Sequence, residues 1–227
     1  ASLVGSEMCI RDRYMFYGGY PGAATLIGDE DRFSQYIQSA IIEATINKDI
    51  LMDTPISKPA LLRQTFELGA AYSGELLSLN KMLGSLQDAG NTVTLAGYIN
   101  LLDESGLLCG LQKFSVDMAR RRASIPKLQV YNNALKMVYS PLTFEQAILN
   151  RKAWGRIFES GIGAYLVSQA FVYRFEVYYW RERDDEVDFV LHKKGSVVAI
   201  EVKSNAEKRT DGLDKFVNFS IRKLHLL

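Results

Sequence analysis

Asp188, Glu201 and Lys203 are the residues of this chain whose types and spacing can do chemistry. They lie in Glu186-Val187-Asp188-Phe189-Val190-Leu191, a short basic turn, and Val197-Val198-Ala199-Ile200-Glu201-Val202-Lys203. Both runs are rich in Val, Ile and Phe and alternate with period two, which predicts a β-hairpin. A two-residue loop at Lys194 and Gly195 pairs Lys193 with Ser196, Asp188 with Glu201 and Glu186 with Lys203. A four-residue loop closing on His192 and Val197 gives the same register. A three-residue loop with a glycine bulge would instead set Asp188 opposite Ile200. In the first register Val187, Phe189 and Leu191 share a face with Val198, Ile200 and Val202, and Glu186, Asp188, Glu201 and Lys203 share the other. A slip of one residue would mix the sets and bury charge.

Two carboxylates facing each other across a sheet repel, on the ~0.2–1 kcal/mol scale of cross-strand pairs. A divalent cation between them reverses the sign. Mg²⁺ takes hard oxygen ligands, often one or two carboxylates plus water and substrate phosphate. Such an ion polarises a phosphate and lowers the pKa of a bound water. Lys203, on the same side, can stabilise developing negative charge. The spacing is thus that of a metal-dependent phosphodiesterase, with Asp188 and Glu201 as metal ligands. The plain alternative is a solvated polar face on a half-buried hairpin.

Asp188 followed by Glu201-Val202-Lys203 on the next strand resembles the PD-(D/E)xK motif of the restriction-endonuclease-like superfamily. The resemblance implies that the Asp and Glu bind metal and that the Lys assists. Some members add an acid from the preceding helix, a position matched by Glu159. It lies in Arg156-Ile157-Phe158-Glu159-Ser160-Gly161-Ile162-Gly163-Ala164-Tyr165-Leu166-Val167, where Phe158, Ile162, Tyr165 and Leu166 make a helical stripe. The alternative for Glu159 is an exposed helix acid. Val187 stands where the motif has its proline.

Further motifs occur in order: Tyr17-Gly18-Gly19-Tyr20-Pro21, Tyr178-Tyr179-Trp180-Arg181, Glu186-Val187-Asp188-Phe189 and Ala199-Ile200-Glu201-Val202-Lys203-Ser204. Together, over roughly residues 15–227, they resemble the C-terminal region of bacterial and archaeal AAA-type ATPases. That resemblance implies a P-loop ATPase core first, then a winged helix, then a restriction-endonuclease-like domain. The expected fold is α+β: a winged helix-turn-helix followed by a truncated nuclease-like mixed sheet with flanking helices. One departure stands out. After Pro126-Lys127-Leu128 the family continues to Asp-x-Gly-Leu, whereas this chain has Asn132-Asn133-Ala134-Leu135. A role carried by that Asp does not transfer.

The expected organisation is 1–14 as a non-native segment, 15–58 as a helical linker after a missing ATPase core, 59–125 as the winged helix and 126–227 as the nuclease-like domain. Ser2 to Arg13 resembles a translated sequencing adapter and lacks the charged start and apolar middle of a signal peptide. The chain also stops soon after Lys203, where a nuclease-like sheet would continue, and so reads as a fragment. Helices are predicted from Asp31 to about Leu51, with Phe33, Ile37, Ile41, Ile42 and Ile46 at helical spacing, and from Pro59 to near Gly74. Leu79 to Leu86 suggests a short second helix of the winged unit. Thr92 can cap a third, and Leu107 to Leu111 suggests its first wing strand.

In DNA-binding versions the third helix enters the major groove. Its expected exposed residues here, Thr94, Asn100, Asp103 and Glu104, include no cation, and acids near phosphates cost affinity. A winged helix used for packing or protein contact is the alternative. The basic patch is Arg120-Arg121-Arg122 with Lys113 and Lys127 nearby, able to grip DNA phosphates without reading sequence, or else a solvated loop. Tyr178, Tyr179 and Trp180 can stack bases or pack in the core, and Arg181 and Arg183 can face the carboxylates.

Composition bounds the rest. The 227 residues are 48% hydrophobic and 23% charged, with a formal net charge of +1. That is ordinary for a soluble globular protein of one or two domains, with no global field drawing it to nucleic acid. No apolar run approaches the ~20 residues that span a bilayer. Cys9 and Cys109 form no ligand or disulfide pattern, as expected for a cytoplasmic protein. No Gly-x-x-x-x-Gly-Lys-[Ser/Thr] occurs, so ATP is expected to bind only through an upstream domain. The sequence therefore leaves two readings, a Mg²⁺-dependent nuclease and an inactive nuclease-like binding or regulatory module of an ATPase. A toxin–antitoxin or mobile-element role has no direct support.

Overall fold

The computed structural model describes residues 3–87, 90–115, 117, 121, 124–203 and 211–224. The chain starts with helices α1 (Leu3–Tyr17), α2 (Pro21–Ala24) and α3 (Glu30–Tyr36), the last capped by Asp29, whose Oδ1 accepts from Arg32 N at 3.1 Å. Helix α3 runs on into π-helical stretches, Ile37–Glu43 and Ile46–Ile50. The buried residues here are Phe33, Ile37, Ile42, Ile46 and Ile50. Their steps of four and five residues are wider than the 3.6 of an α-helix. They suit i→i+5 bonding, as in Leu51 N to Ile46 O at 2.9 Å.

Helices α4 (Pro59–Ala71), α5 (Leu79–Ser85) and α6 (Thr92–Glu104) follow, then β1 (Leu108–Leu111) and β2 (Lys127–Val130), which pair antiparallel. The cap of α6 is Asn91 and not Thr92: its Oδ1 accepts from Thr94 N at 2.9 Å. Asn100, Asp103 and Glu104 are exposed as expected, while Thr94 is half-buried. Strand β2 lies beyond the boundary expected at 125/126, yet it pairs with β1 before that boundary. These helices and strands share one apolar core that includes Leu62, Phe66, Met82, Leu95, Leu102, Leu108 and Val130.

The chain continues through α7 (Ala134–Met137), α8 (Phe144–Leu149) and the long α9 (Arg151–Tyr173), which ends on Arg174 in the left-handed conformation. Strands β3 (Glu176–Glu182), β4 (Asp185–Lys193) and β5 (Ser196–Ile200) form an antiparallel meander, and α10 (Asp211–Leu224) follows. The buried face of α9 includes Leu166 of the expected stripe but otherwise differs from it. Ile157, Ser160, Gly161, Ala164 and Val167 are buried, whereas Tyr165 is exposed and Phe158 and Ile162 are half-buried. The small residues let the helix approach closely: a Cβ on Gly163 would collide with the Gln129 side chain and sit 2.8 Å from Phe189 Cζ.

The hairpin turn is Lys194-Gly195, both at positive φ (47° and 81°), the conformation that a two-residue turn matching strand twist requires. Lys193 pairs with Ser196 and the ladder runs to Phe189 opposite Ile200, the two-residue register. The expected partition of faces holds only in part. Between β3 and β4, Tyr178 faces Val190 while Trp180 faces Val187, so Tyr179 stands opposite both Asp188 and Phe189. This β-bulge adds a residue to β4 and shifts the alternation by one. Val187 therefore joins Val190, Ala199 and Phe216 of α10, while Phe189, Leu191, Ile200 and Val202 pack with Leu166 and Val167 of α9. The fold is α+β, with two small antiparallel sheets among the described residues. No helix among the described residues is long and apolar enough to cross a membrane.

Candidate functional site

The bulge places Asp188 where α9, β2 and β4 meet. Its backbone carbonyl accepts from Lys127 Nζ at 3.2 Å, and its Oδ2 accepts from Val202 N at 2.6 Å, where the β4–β5 ladder has ended. Lys127 comes from the start of β2, and its side chain is fully buried. Its ammonium lies 2.6 Å from Glu159 Oε1, 3.9 Å from Asp188 Oδ1 and 3.9 Å from Glu186 Oε1, above the Phe189 ring at 4.9 Å. A cleft of about 350 Å³ opens over these groups, with Glu75, Arg156 and Arg181 also on its walls. Arg156 lies 3.4 Å from Glu75, and Arg181 3.9 Å from Glu186.

The electrostatics follow from that packing. Burial pushes the Asp188 carboxyl up from the ordinary 3.8 to about 6, helped by the nearby Glu159 charge. Lys127, the Val202 N–H and Lys203 act against this but do not cancel it. Taking a carboxylate out of water disfavours its charged form unless the compensating charge matches. Lys203 contacts Glu201 Oε1 at 2.5 Å, and this bond holds its ammonium above the ordinary lysine value.

The structure brings Asp188 and Glu159 together around Lys127. Glu201 lies beside them and pairs with Lys203, whose ammonium also feels the Asp188 and Glu159 charges. One oxygen pairs with Lys203, and the other is buried with no hydrogen-bond partner among the described residues. That second oxygen is turned toward α10, where a Cβ on Gly212 would lie 3.7 Å away. The two expected ligands thus serve different neighbours. Among the described residues no group of three or more His, Cys, Asp or Glu side chains is placed to hold a metal ion. A resident ammonium also sits in the carboxylate cluster, and Mg²⁺ needs oxygens at about 2.0–2.1 Å. As arranged, these residues do not fit the ion that the PD-(D/E)xK resemblance implies.

Two members of the basic patch, Lys127 and Arg121, are engaged within the fold. Lys127 is buried in the ion cluster and presents no charge to solvent. Arg121 donates to Ser115 O and, at 3.1 Å, to Tyr178 Oη, with its guanidinium over the Tyr178 and Phe114 rings at 5.0 and 5.7 Å. Arg120 and Arg122 lie outside the described residues. Tyr178, Tyr179 and Trp180 are buried, so they take the core role and not the base-stacking one. Arg181 reaches the cleft, while Arg183 sits in the β3–β4 turn at φ 55°.

Sequence reasoning missed Lys127 as the centre of the cluster, Glu186 as its third acid, and a buried polar knot beside it. In the knot Ser73 Oγ meets Ser160 Oγ at 2.8 Å, and Ser160 Oγ reaches Asn133 Oδ1 at 2.7 Å. Asn133 also donates to Met15 O and, at 3.1 Å, to Ile157 O. Gln129 donates to Ser160 O at 2.9 Å. A lysine opening the apolar-rich run Lys-Leu-Gln-Val was the available signal for Lys127.

Residues 10–146, more than half of the chain, match the family described as Domain of unknown function DUF8612. The chain belongs to the DUF8612 family. Residues 154–226 match a second family, Domain of unknown function DUF4143, known as a C-terminal domain of AAA-type ATPases. No curated protein and no solved structure matches the chain. Lys127 falls in the DUF8612 segment, and Glu159, Glu186, Asp188, Glu201 and Lys203 fall in the DUF4143 segment. The ion cluster therefore joins the two.

Proposed function

We propose that this DUF8612 chain is the C-terminal binding and regulatory region of an AAA-type ATP-binding protein, and that its nuclease-like half is a platform, not a hydrolase. The observation that carries this reading is the Lys127 ammonium lodged among Glu159, Asp188 and Glu186. An ammonium held in this way competes with a catalytic cation for the same carboxylates. The DUF4143 match supports the ATPase association. Helices α4 to α6 followed by the β1–β2 pair support a winged helix, and the acids on the exposed face of α6 favour protein contact over groove reading. DNA, on this reading, is met through Arg120 and Arg122, since Arg121 is engaged with Ser115 and Tyr178. The test is incubation of the purified chain with supercoiled, linear and single-stranded DNA in Mg²⁺ or Mn²⁺. No cleavage is expected, and cleavage abolished by Asp188→Asn defeats the platform reading.

A second reading, a Mg²⁺-dependent nuclease, is favoured by Glu201 Oε2, buried with no hydrogen-bond partner among the described residues. A lone carboxylate oxygen out of water is costly, and a bound cation would offset that cost. The same assay decides between the two.

A further inference from the structure

The carboxylates of this site have a cation already, and it is part of the chain. Lys127 is fully buried, makes a 2.6 Å contact with Glu159 and lies 3.9 Å from both Asp188 and Glu186. Two of its N–H bonds have oxygen partners, Glu159 Oε1 and the Asp188 carbonyl, and the Phe189 ring lies 4.9 Å away. Buried ammonium groups persist when charge and hydrogen bonds compensate them. Here the compensation comes from Asp188, which the nuclease-like pattern gives to a metal, from Glu159 on the preceding helix and from Glu186.

We propose that Lys127 is the resident counter-ion of the Glu159–Asp188–Glu186 cluster and excludes a divalent cation from it. This rests on the platform reading and supplies its mechanism: the DUF8612 segment contributes the charge that closes the DUF4143 segment's site. A divalent ion entering the cluster from the cleft would meet a fixed positive charge within about 4 Å, close enough for repulsion even at the effective dielectric of a protein surface. The carboxylates would also have to leave the ammonium and close in to metal–oxygen distance. With the ammonium gone, three acids remain around one vacated position, and each favours a hard cation there.

The test is titration of Mn²⁺ into the full chain by calorimetry, with far-UV circular dichroism and thermal unfolding alongside. Wild type and Lys127→Arg, which keeps the charge, are expected to take up no Mn²⁺ that depends on Asp188. Lys127→Met is expected to bind one Mn²⁺ at least tenfold more tightly than wild type, to lose it on adding Asp188→Asn, and to melt at a higher temperature with Mn²⁺ than without. If Lys127→Met folds only when Mn²⁺ is present, that rescue also supports the assignment. If it folds in neither condition, Lys127→Met with Glu186→Gln, one negative charge fewer, carries the titration. A folded variant with no gain in Mn²⁺ affinity overturns the proposal. So does a wild type that binds Mn²⁺ and loses it with Asp188→Asn. Mn²⁺ uptake by wild type without DNA cleavage defeats the Lys127 assignment alone, whereas Asp188-dependent cleavage defeats the platform reading itself.

Discussion

Asp188→Asn should stabilise this protein at neutral pH, although it alters a residue at the centre of the candidate site. The Asp188 carboxyl is raised from 3.8 to about 6, mainly by burial, with Glu159 adding to the effect. A carboxyl with a raised folded value binds its proton more tightly in the folded state. It therefore makes stability fall as pH rises from about 4 to about 6. A shift of about two units, at ~1.4 kcal/mol per unit, is a cost of roughly 3 kcal/mol at pH 7. About 1.4 kcal/mol of this is recovered at pH 5, where the folded state is mostly protonated. The asparagine keeps an oxygen for the Val202 N–H, so the 2.6 Å bond that ends the β4–β5 ladder survives. Its lost attraction to Lys127 is already contained in the shift. Urea denaturation followed by circular dichroism at pH 7 and pH 5 measures both effects. The variant should gain between one and three kcal/mol at pH 7, of order the shift, and should lack the part of the pH 5 gain due to this group. A variant less stable than wild type at pH 7, with the same pH profile as wild type, refutes the burial argument.

Three other outcomes follow from the same contacts. Glu159→Gln removes the 2.6 Å partner of a fully buried ammonium and should destabilise by about 3–5 kcal/mol, read as a fall in the urea midpoint, with Asp188 and Glu186 holding the loss to the lower end. Gly163→Ala forces a Cβ into the Gln129 side chain and within 2.8 Å of Phe189 Cζ, so thermal unfolding should show a loss of about 1–3 kcal/mol; an unchanged midpoint would mean that α9 has room to shift. The isolated chain, with no phosphate-cradling glycine loop in its sequence, should show no ATP binding by calorimetry.

The two family matches meet between residues 146 and 154, but the packing does not stop there. Lys127 reaches from one segment into the acids of the other, and Asn133 ties the ends of both to Met15. Ser73 joins Ser160 across the same seam. Asn132, in the Asp position of the expected Asp-x-Gly sequence, accepts from Gly19 N and Ala134 N at 3.3 and 3.1 Å, and Asn133, in its middle position, belongs to a buried hydrogen-bond knot. Such groups are costly to leave unpaired, which gives Asn133 a structural role.

Local pattern determined a good deal of this protein on its own. Period-two alternation and a Lys-Gly pair gave the β4–β5 hairpin and its register down to Lys193 opposite Ser196. Helical spacing gave α4, α5 and α6, because capping and amphipathic periodicity are interactions among near neighbours. What the tertiary structure decided is which charges meet. The bulge opposite Tyr179 depends on β3, which lies outside the hairpin, and it turned Val187 toward α10 and seated Asp188 beside β2. The identity of the cation among the acids depends on a lysine 61 residues from Asp188 along the chain. Alternation along a strand carries no record of such a partner, since burial and charge compensation are set by whatever the fold packs there. Glu201 shows the same limit: its spacing from Asp188 is that of a shared site, and the arrival of α10 set Gly212 beside its second oxygen.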